Sequence, residues 1–526
     1  MGKRSLSSTA MLFTSISAIL GSGWLFSAYY TSEIAGPAAL LSWVIGGISL
    51  GIIAFIFAEL GAMIPVTGSS VRIPKITHGT LVSFIFSWFI WLSYASLAPT
   101  EIQGVIQYIT LFFPNLANPA TGQLTHTGFI TAATLMLCLV ILNTMSLRWL
   151  IRANNILTIF KMTIPIVIAG SILFVIFNRA APIQLTHEKF SPYGIKSIFT
   201  AISTGGIIFA FNGFKQACEM AGEAKNPAKS IPIAIIGSIV ICLIIYIVLQ
   251  LSFISSLTVA NLHQGWSQLS LSNNNSPFSS ILIQDHLPKL LSLTYTGAII
   301  GPIAAALMYV ASASRSIYGI SHNGCLPIKL MQLNTKGNPT YAIILNFFVG
   351  LLLFAPLPGW NAMVAFLTSL MAISYAIGPV CLISLRKQLP KQNRPLKLPF
   401  GTVWGYVAFS ICNFLAYWTG WDNISKLSIT ILLSIVILFT YRACSARAKK
   451  TPLNARQAMW MVPYFIGLSL ISYGGNFGGG AGLIPFRWDN LILLVLSIMI
   501  MKLATTYKLP SNLVQQEINK LEIPVT

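Results

Sequence analysis

The chain has 526 residues, 55% of them hydrophobic and only 8% charged, against about a quarter charged in an ordinary soluble domain. That excludes a soluble globular fold, and at about 20 residues per membrane-crossing helix the apolar content supplies a dozen or more spans. The 32 Lys and Arg against 11 Asp and Glu, a net +21, would suit nucleic acid in a soluble protein, but in a membrane protein such an excess first sets topology.

In chain order, apolar runs bounded by Pro, Asn and charge clusters predict helices over 9–33, 37–64, 80–112, 127–146, 149–178, 194–221 and 229–255. The second half continues over 290–320, 340–356, 361–386, 403–421, 424–442, 457–474 and 488–506, which makes fourteen spans. Lys3 and Arg4 precede the first run as in a secretory signal, yet it continues through Gly21, Ser22 and Gly23 with many spans following, so it reads as a retained helix. With both termini inside, 23 Lys and Arg fall in cytoplasmic segments and six outside, a bias that losing one span would invert. The expected setting is the bacterial inner membrane. The basic balance needs no nucleic-acid partner, and lipid, substrate and protons are the expected partners. Seven cysteines without paired spacing indicate neither a disulfide framework nor a metal site.

Two spans depart from a plain helix. Span one, SISAILGSGWLFSAYY, breaks at Gly21, Ser22 and Gly23, about 12 residues or roughly 18 Å from its start, close to half a bilayer. Span six carries Asn212 and Gly213 at comparable depth. Glycines in membrane helices more often permit close packing, but two breaks five spans apart form the pattern of an inverted repeat, the odd number reversing the second copy. Irregular backbone at membrane depth must line a cavity or lie buried in protein. At such a break the N–H groups of Ser22, Gly23 and Trp24 can receive a carboxylate, and carbonyls near Ile19 and Leu20, and at Phe209, Ala210 and Phe211, can receive an ammonium group. Together these suit the zwitterion common to all amino acids.

These residues resemble the amino acid, polyamine and organocation transporter superfamily. ILGSGWLF and FAFNGFKQACEMAGEAKNPAKSIPIAI carry the likeness, with AELGAMIPVTG, NNILTIFK and SRSIYGISHNGCLP in support, across approximately the first 390 residues. The resemblance implies an all-α fold: a ten-helix core of two inverted five-helix repeats with spans one and six broken, working by alternating access, followed by four extra helices. The expected units are 1–178, 194–387, 403–506 and a cytoplasmic tail, 507–526. Residue by residue, Gly21, Ser22 and Gly23 match the family's carboxylate-binding break, and Phe209, Ala210 and Phe211 its amine-binding carbonyls. Ser69, Ser70 and Arg72 replace the commoner glycine and tyrosine pattern after span two, and Pro74 is similar to a bacterial subgroup that includes aspartate and proton symporters. His322 and Asn323 stand where many members have Arg and Asp, so a gating ion pair is not expected there.

Ionisable residues inside spans are costly and therefore mark function. Lys161 matches a lysine that, in proton-coupled members of the family, stands where relatives bind sodium; the alternative is a side chain snorkelling to the interface. Lys215 directly follows the span-six break and either faces an acidic substrate side chain or pairs with Glu219 one turn later. Glu101 is a second candidate proton carrier or a selectivity residue, or else a structural carboxylate near the outer end bonded to Gln103 or a hydroxyl. Trp24, Phe209, Phe211 and Phe214 can close over substrate or simply pack, and Asn212 at the span-six break is a further expected substrate contact.

The leading function is a secondary active transporter that imports an amino acid with protons, its substrate an acidic one. An amino acid exchanger and a transport-inactive sensor are the alternatives. Neither an intramembrane catalytic set nor a phosphate-binding loop occurs, so no enzyme activity, ATP or other cofactor is expected.

Overall fold

The apolar runs become helices because a backbone in lipid must satisfy its own hydrogen bonds. In a computed structural model the chain is described over residues 6–66, 68–118, 122–145, 147–178, 189–354 and 359–519, the side chains of 147–153 excepted. Lys3, Arg4, Arg179 and Lys520 of the charge pattern, and the side chains of Arg148 and Arg152, lie outside the described residues.

Span one is two helices, α1 (Ser8–Ile19) and α2 (Gly23–Ala35). α3 (Ala39–Met63) is span two, α4 (Ser69–His78) a short corner helix, and α5 (Thr80–Tyr108) span three. Spans four and five are α6 (His126–Asn143) and α7 (Leu147–Asn178). Span six is three pieces, α8 (Gly194–Thr204), α9 (Ile207–Ala210) and α10 (Gln216–Glu219), and span seven is α11 (Pro227–Ser256). The short α12 (Pro277–Gln284) leads to α13 (Leu291–His322), α14 (Thr340–Leu353) and α15 (Gly359–Gln388), spans eight to ten. The C-terminal part holds α16 (Gly401–Tyr417), α17 (Trp421–Cys444), α18 (Ala446–Lys450), α19 (Ala455–Ala458), α20 (Met461–Gly474), α21 (Phe486–Thr506) and α22 (Ser511–Asn519).

Among the described residues nine helical stretches are long and apolar enough to cross a membrane, one of them Gly23–Met63, which joins α2 to α3. No strand occurs there beyond two isolated bridges. The protein is an all-α polytopic membrane protein, and each predicted span has its helix. Span six differs in detail. It breaks at Gly205 and Gly206 as well as after Ala210, because Gly206 takes φ 95° and a Cβ there would lie 2.5 Å from Ser27 Oγ and 2.9 Å from the Trp360 ring.

α5 and α15 are almost wholly buried and form the centre, while α17 is mostly exposed at the rim. Many serines and threonines are tolerated inside because the hydroxyl bonds a carbonyl one turn back, as Ser96 does to Leu92 at 2.7 Å and Thr100 to Ser96 at 2.8 Å.

The C-terminal helices reach back to the corner helix α4. Leu509 N–H donates to Thr77 O at 2.8 Å, and Gln388 Nε2 donates to both Thr77 O and Leu509 O. His78 is fully buried beside them: Nε2 donates to Ala504 O at 3.1 Å, which leaves Nδ1 to accept from Thr77 Oγ1 at 2.8 Å. Burial pushes this imidazole down to about 4, the Ala504 bond opposing and Lys508 reinforcing the shift. Between the ordinary 6.5 and that value the unfolded chain binds a proton that the folded chain refuses, so stability falls as pH drops through that window, by on the order of 3 kcal/mol in total. Purified protein should melt progressively lower from pH 6.5 to 4, and His78→Gln should flatten that part of the profile.

Candidate functional site

The span-one break is a turn in which α1 ends at Ile19 and the backbone re-enters a helix at Gly23. The first free N–H of α2 is already engaged: Ser22 N–H donates to Glu101 Oε2 at 2.6 Å. The carboxylate lies against the Gly21 backbone, where a Cβ would stand 2.1 Å from Oε1. A buried carboxylate thus sits at the N-terminus of a half-helix, where the dipole and unpaired donors favour an anion. Of the two structural partners considered for Glu101, Gln103 is turned elsewhere, to Gly122 O at 2.7 Å.

The span-six break packs directly on this one. A Cβ at Gly23 would lie 2.9 Å from Ala210 Cβ, and one at Gly213 would lie 2.4 Å from Ile19 N and 2.5 Å from Ala18 C. Those glycines exist because two backbones touch. Tyr246 of α11 spans the junction, its hydroxyl 3.0 Å from both Ile19 O and Ala210 O, and the Tyr309 hydroxyl donates to Ala18 O. Asn212 Oδ1 accepts from Tyr375 at 2.8 Å. The Phe211 ring packs on Trp43 and Tyr246. Trp24 is buried against Gly297 and Gly301 of α13.

Lys161 does not reach for the interface. It is 3% exposed, and its ammonium donates to Ser17 O and, at 3.0 Å, to Ser17 Oγ, which in turn donates to Asn154 Oδ1 at 2.6 Å. An ammonium therefore holds the end of α1 and a carboxylate the start of α2, and the two charges act on one another across the break. Lys215 lies in an aromatic cage, its Nζ 4.5 Å from the Tyr375 ring, 5.4 Å from Phe57 and 5.6 Å from Tyr94. It also donates to Ser374 Oγ at 3.3 Å. Glu219, one turn on, bonds Ser70 and Tyr94 instead. Nearby, Arg315 stands 3.9 Å from Glu223, and Lys75 Nζ donates to Asn323 O at 3.3 Å.

Four residues of this site were not legible in sequence: Tyr246, Tyr309, Tyr375 and Trp360. Trp360 roofs the span-one break. Its indole N–H donates to Ser22 Oγ at 2.7 Å, and its ring stacks on Tyr30 at 5.7 Å and packs on Phe26 and Phe209. The only signal was an indole at the start of a span, a common position for interfacial anchoring. Trp360→Phe keeps a ring in that stack and removes the N–H, at a stability cost of about 1 kcal/mol. Uptake kinetics should show KM raised several-fold with the protein still folded.

Residues 5–441 match the model of a family described as amino acid permease. The chain is 33% identical over 504 residues to a glutamate/serine transporter, AimA, of Bacillus subtilis, covering 94% of this chain and 92% of that one. It is 32% identical over 503 residues to an aspartate-proton symporter of the same organism, covering 95% of each. A branched-chain amino acid permease, BcaP, is 25% identical over 449 residues, 84% of this chain and 93% of the relative.

Proposed function

This chain belongs to the amino acid permease family, and from that premise we propose that it carries an amino acid inward together with a proton. The two relatives above 30% identity are named for the transport of amino acids; coupling and substrate are the further reading. The observation that carries it is Glu101 Oε2 on Ser22 N–H at 2.6 Å. The Glu101 carboxylate occupies the cradle that the α-carboxylate of a substrate needs, and two carboxylates in one dry site repel. Once Glu101 takes a proton it loses its claim on the cradle and can become a donor. Substrate carboxylate and proton then enter as a pair, and neither is released without the other.

Within this scheme Ser22, Gly23 and Trp24 N–H groups hold the carboxylate, carbonyls of Ile19, Phe209, Ala210 and Phe211 hold the amine, and Lys161 takes the place of a coupling cation beside α1. An acidic substrate is favoured by two relatives named for glutamate/serine and aspartate, with Lys215 and Asn212 as the side chains that would read a second carboxylate. Residues 1–178 and 194–387 form the two inverted repeats, 403–506 the additional helices and 507–526 a tail, with both termini in the cytoplasm.

Reconstituted liposomes test the coupling. Glu101→Gln cannot exchange a proton, so concentrative aspartate or glutamate uptake driven by an inward proton gradient should be lost while exchange of internal for external substrate persists. Retained gradient-driven accumulation in this variant would remove Glu101 from the mechanism.

A further inference from the structure

At the cation-rich end of the bundle, residues 386–397 (RKQLPKQNRPLK) hold five cations and no acidic residue. A single buried carboxylate, Glu59 of α3, serves two of them. Arg386 donates to it through Nε at 3.0 Å and Nη2 at 2.5 Å, Arg394 Nε stands 3.6 Å away, and Leu398 N–H adds a bond of 2.9 Å. One carboxylate cannot balance two guanidiniums, and the exposed Lys397 adds a third positive charge.

Arg386 and Lys397, with Leu398 to Val403, line an open pocket of about 430 Å³ that has no acidic wall. The guanidinium lies flat against the start of α16: a Cβ at Gly401 would be 2.2 to 2.4 Å from its atoms. The hydrogen bonds of Arg386 run from Nε and Nη2, to Glu59 and, at 2.9 Å, to Leu398 O. Beside the pocket Phe400 is 83% exposed at φ 50°, followed by exposed Val403 and Trp404 on the span α16. A cationic pocket thus opens directly onto an exposed apolar strip.

We propose that this pocket binds the phosphodiester headgroup of an anionic phospholipid, its phosphoryl oxygens on Arg386 and Lys397 and its acyl chains along Phe400, Val403 and Trp404. Guanidinium and ammonium groups complement a phosphodiester by charge and by hydrogen bonding. The apolar strip selects a lipid over free phosphate, which would gain nothing from Phe400. Through Arg386 and Glu59 the bound headgroup would fasten the ends of spans ten and two, whatever amino acid the protein carries.

Native mass spectrometry of the full-length protein, exchanged from detergent into mixed phosphatidylglycerol and phosphatidylcholine, measures this. The wild type should retain phosphatidylglycerol in preference. Lys397→Gln, at an exposed position outside the substrate site, should reduce that retention about tenfold, the loss of one charge-assisted bond. Phe400→Ser should reduce it too. Millimolar inorganic phosphate should not displace the lipid. Equal retention of both lipids, or unchanged phosphatidylglycerol binding in both variants, overturns the proposal, and complete displacement by phosphate overturns it in favour of a free-anion site.

Discussion

Gly21→Val should abolish substrate uptake, by about 100-fold or more, in a protein that still folds and inserts. Even the first carbon of the new side chain would lie 2.1 Å from Glu101 Oε1 and 2.6 Å from its Cδ, and the atom that can yield is the end of a flexible side chain. The carboxylate is evicted from Ser22 N–H rather than the helices driven apart. Valine, lacking glycine's backbone freedom, also favours continued helix over the turn. Gly23→Val is a harsher change, since it meets Ala210 Cβ and backbone Cα at 2.9 and 3.0 Å, so spans one and six must separate and stability falls with activity. Substrate-induced thermal stabilisation distinguishes the two: a folded Gly21→Val protein should melt normally and gain nothing from substrate. Wild-type uptake by this variant would take the span-one break out of the site.

Lys161→Ala should cost stability and coupling together. The wild-type ammonium is buried on Ser17 O and acts on the Glu101 carboxylate across the break. Removing it leaves the Ser17 carbonyl without its donor and takes a cation away from the buried Glu101 carboxylate, a loss of about 1 to 3 kcal/mol. The penalty should shrink in acid, because a protonated Glu101 no longer needs a counter-charge. Uptake should also lose its response to an inward proton gradient. Thermal melts of the variant against wild type across pH, beside liposome flux, separate two roles. Gradient-driven uptake that persists in whatever fraction folds would reduce Lys161 to a brace for α1.

Periodicity and composition determined a great deal here. The fourteen predicted apolar runs are each found as helix, because lipid gives a backbone no partner and forces such a run into helix. The breaks at Gly21 to Gly23 and at Asn212 and Gly213 were visible because glycine and asparagine interrupt otherwise unbroken apolar stretches. Lys161 and Glu101 stood out because charges at membrane depth are rare. What they touch was not visible. Glu101 lies 79 positions from Ser22, and Lys161 144 from Ser17, and no local pattern encodes which rotation of one helix faces another. The second break in span six at Gly206, the tyrosines that cap the broken ends and Trp360 over Ser22 depend on helices packing side by side. Their aromatic residues resemble ordinary packing until the polar atom at the tip is seen on a carbonyl or hydroxyl. Local sequence therefore determined where the chain is helical and, Gly206 apart, where spans one and six break. Tertiary packing alone decided that the Glu101 carboxylate meets the Ser22 N–H at the span-one break, because that contact joins surfaces of separate helices brought together only when the bundle closes.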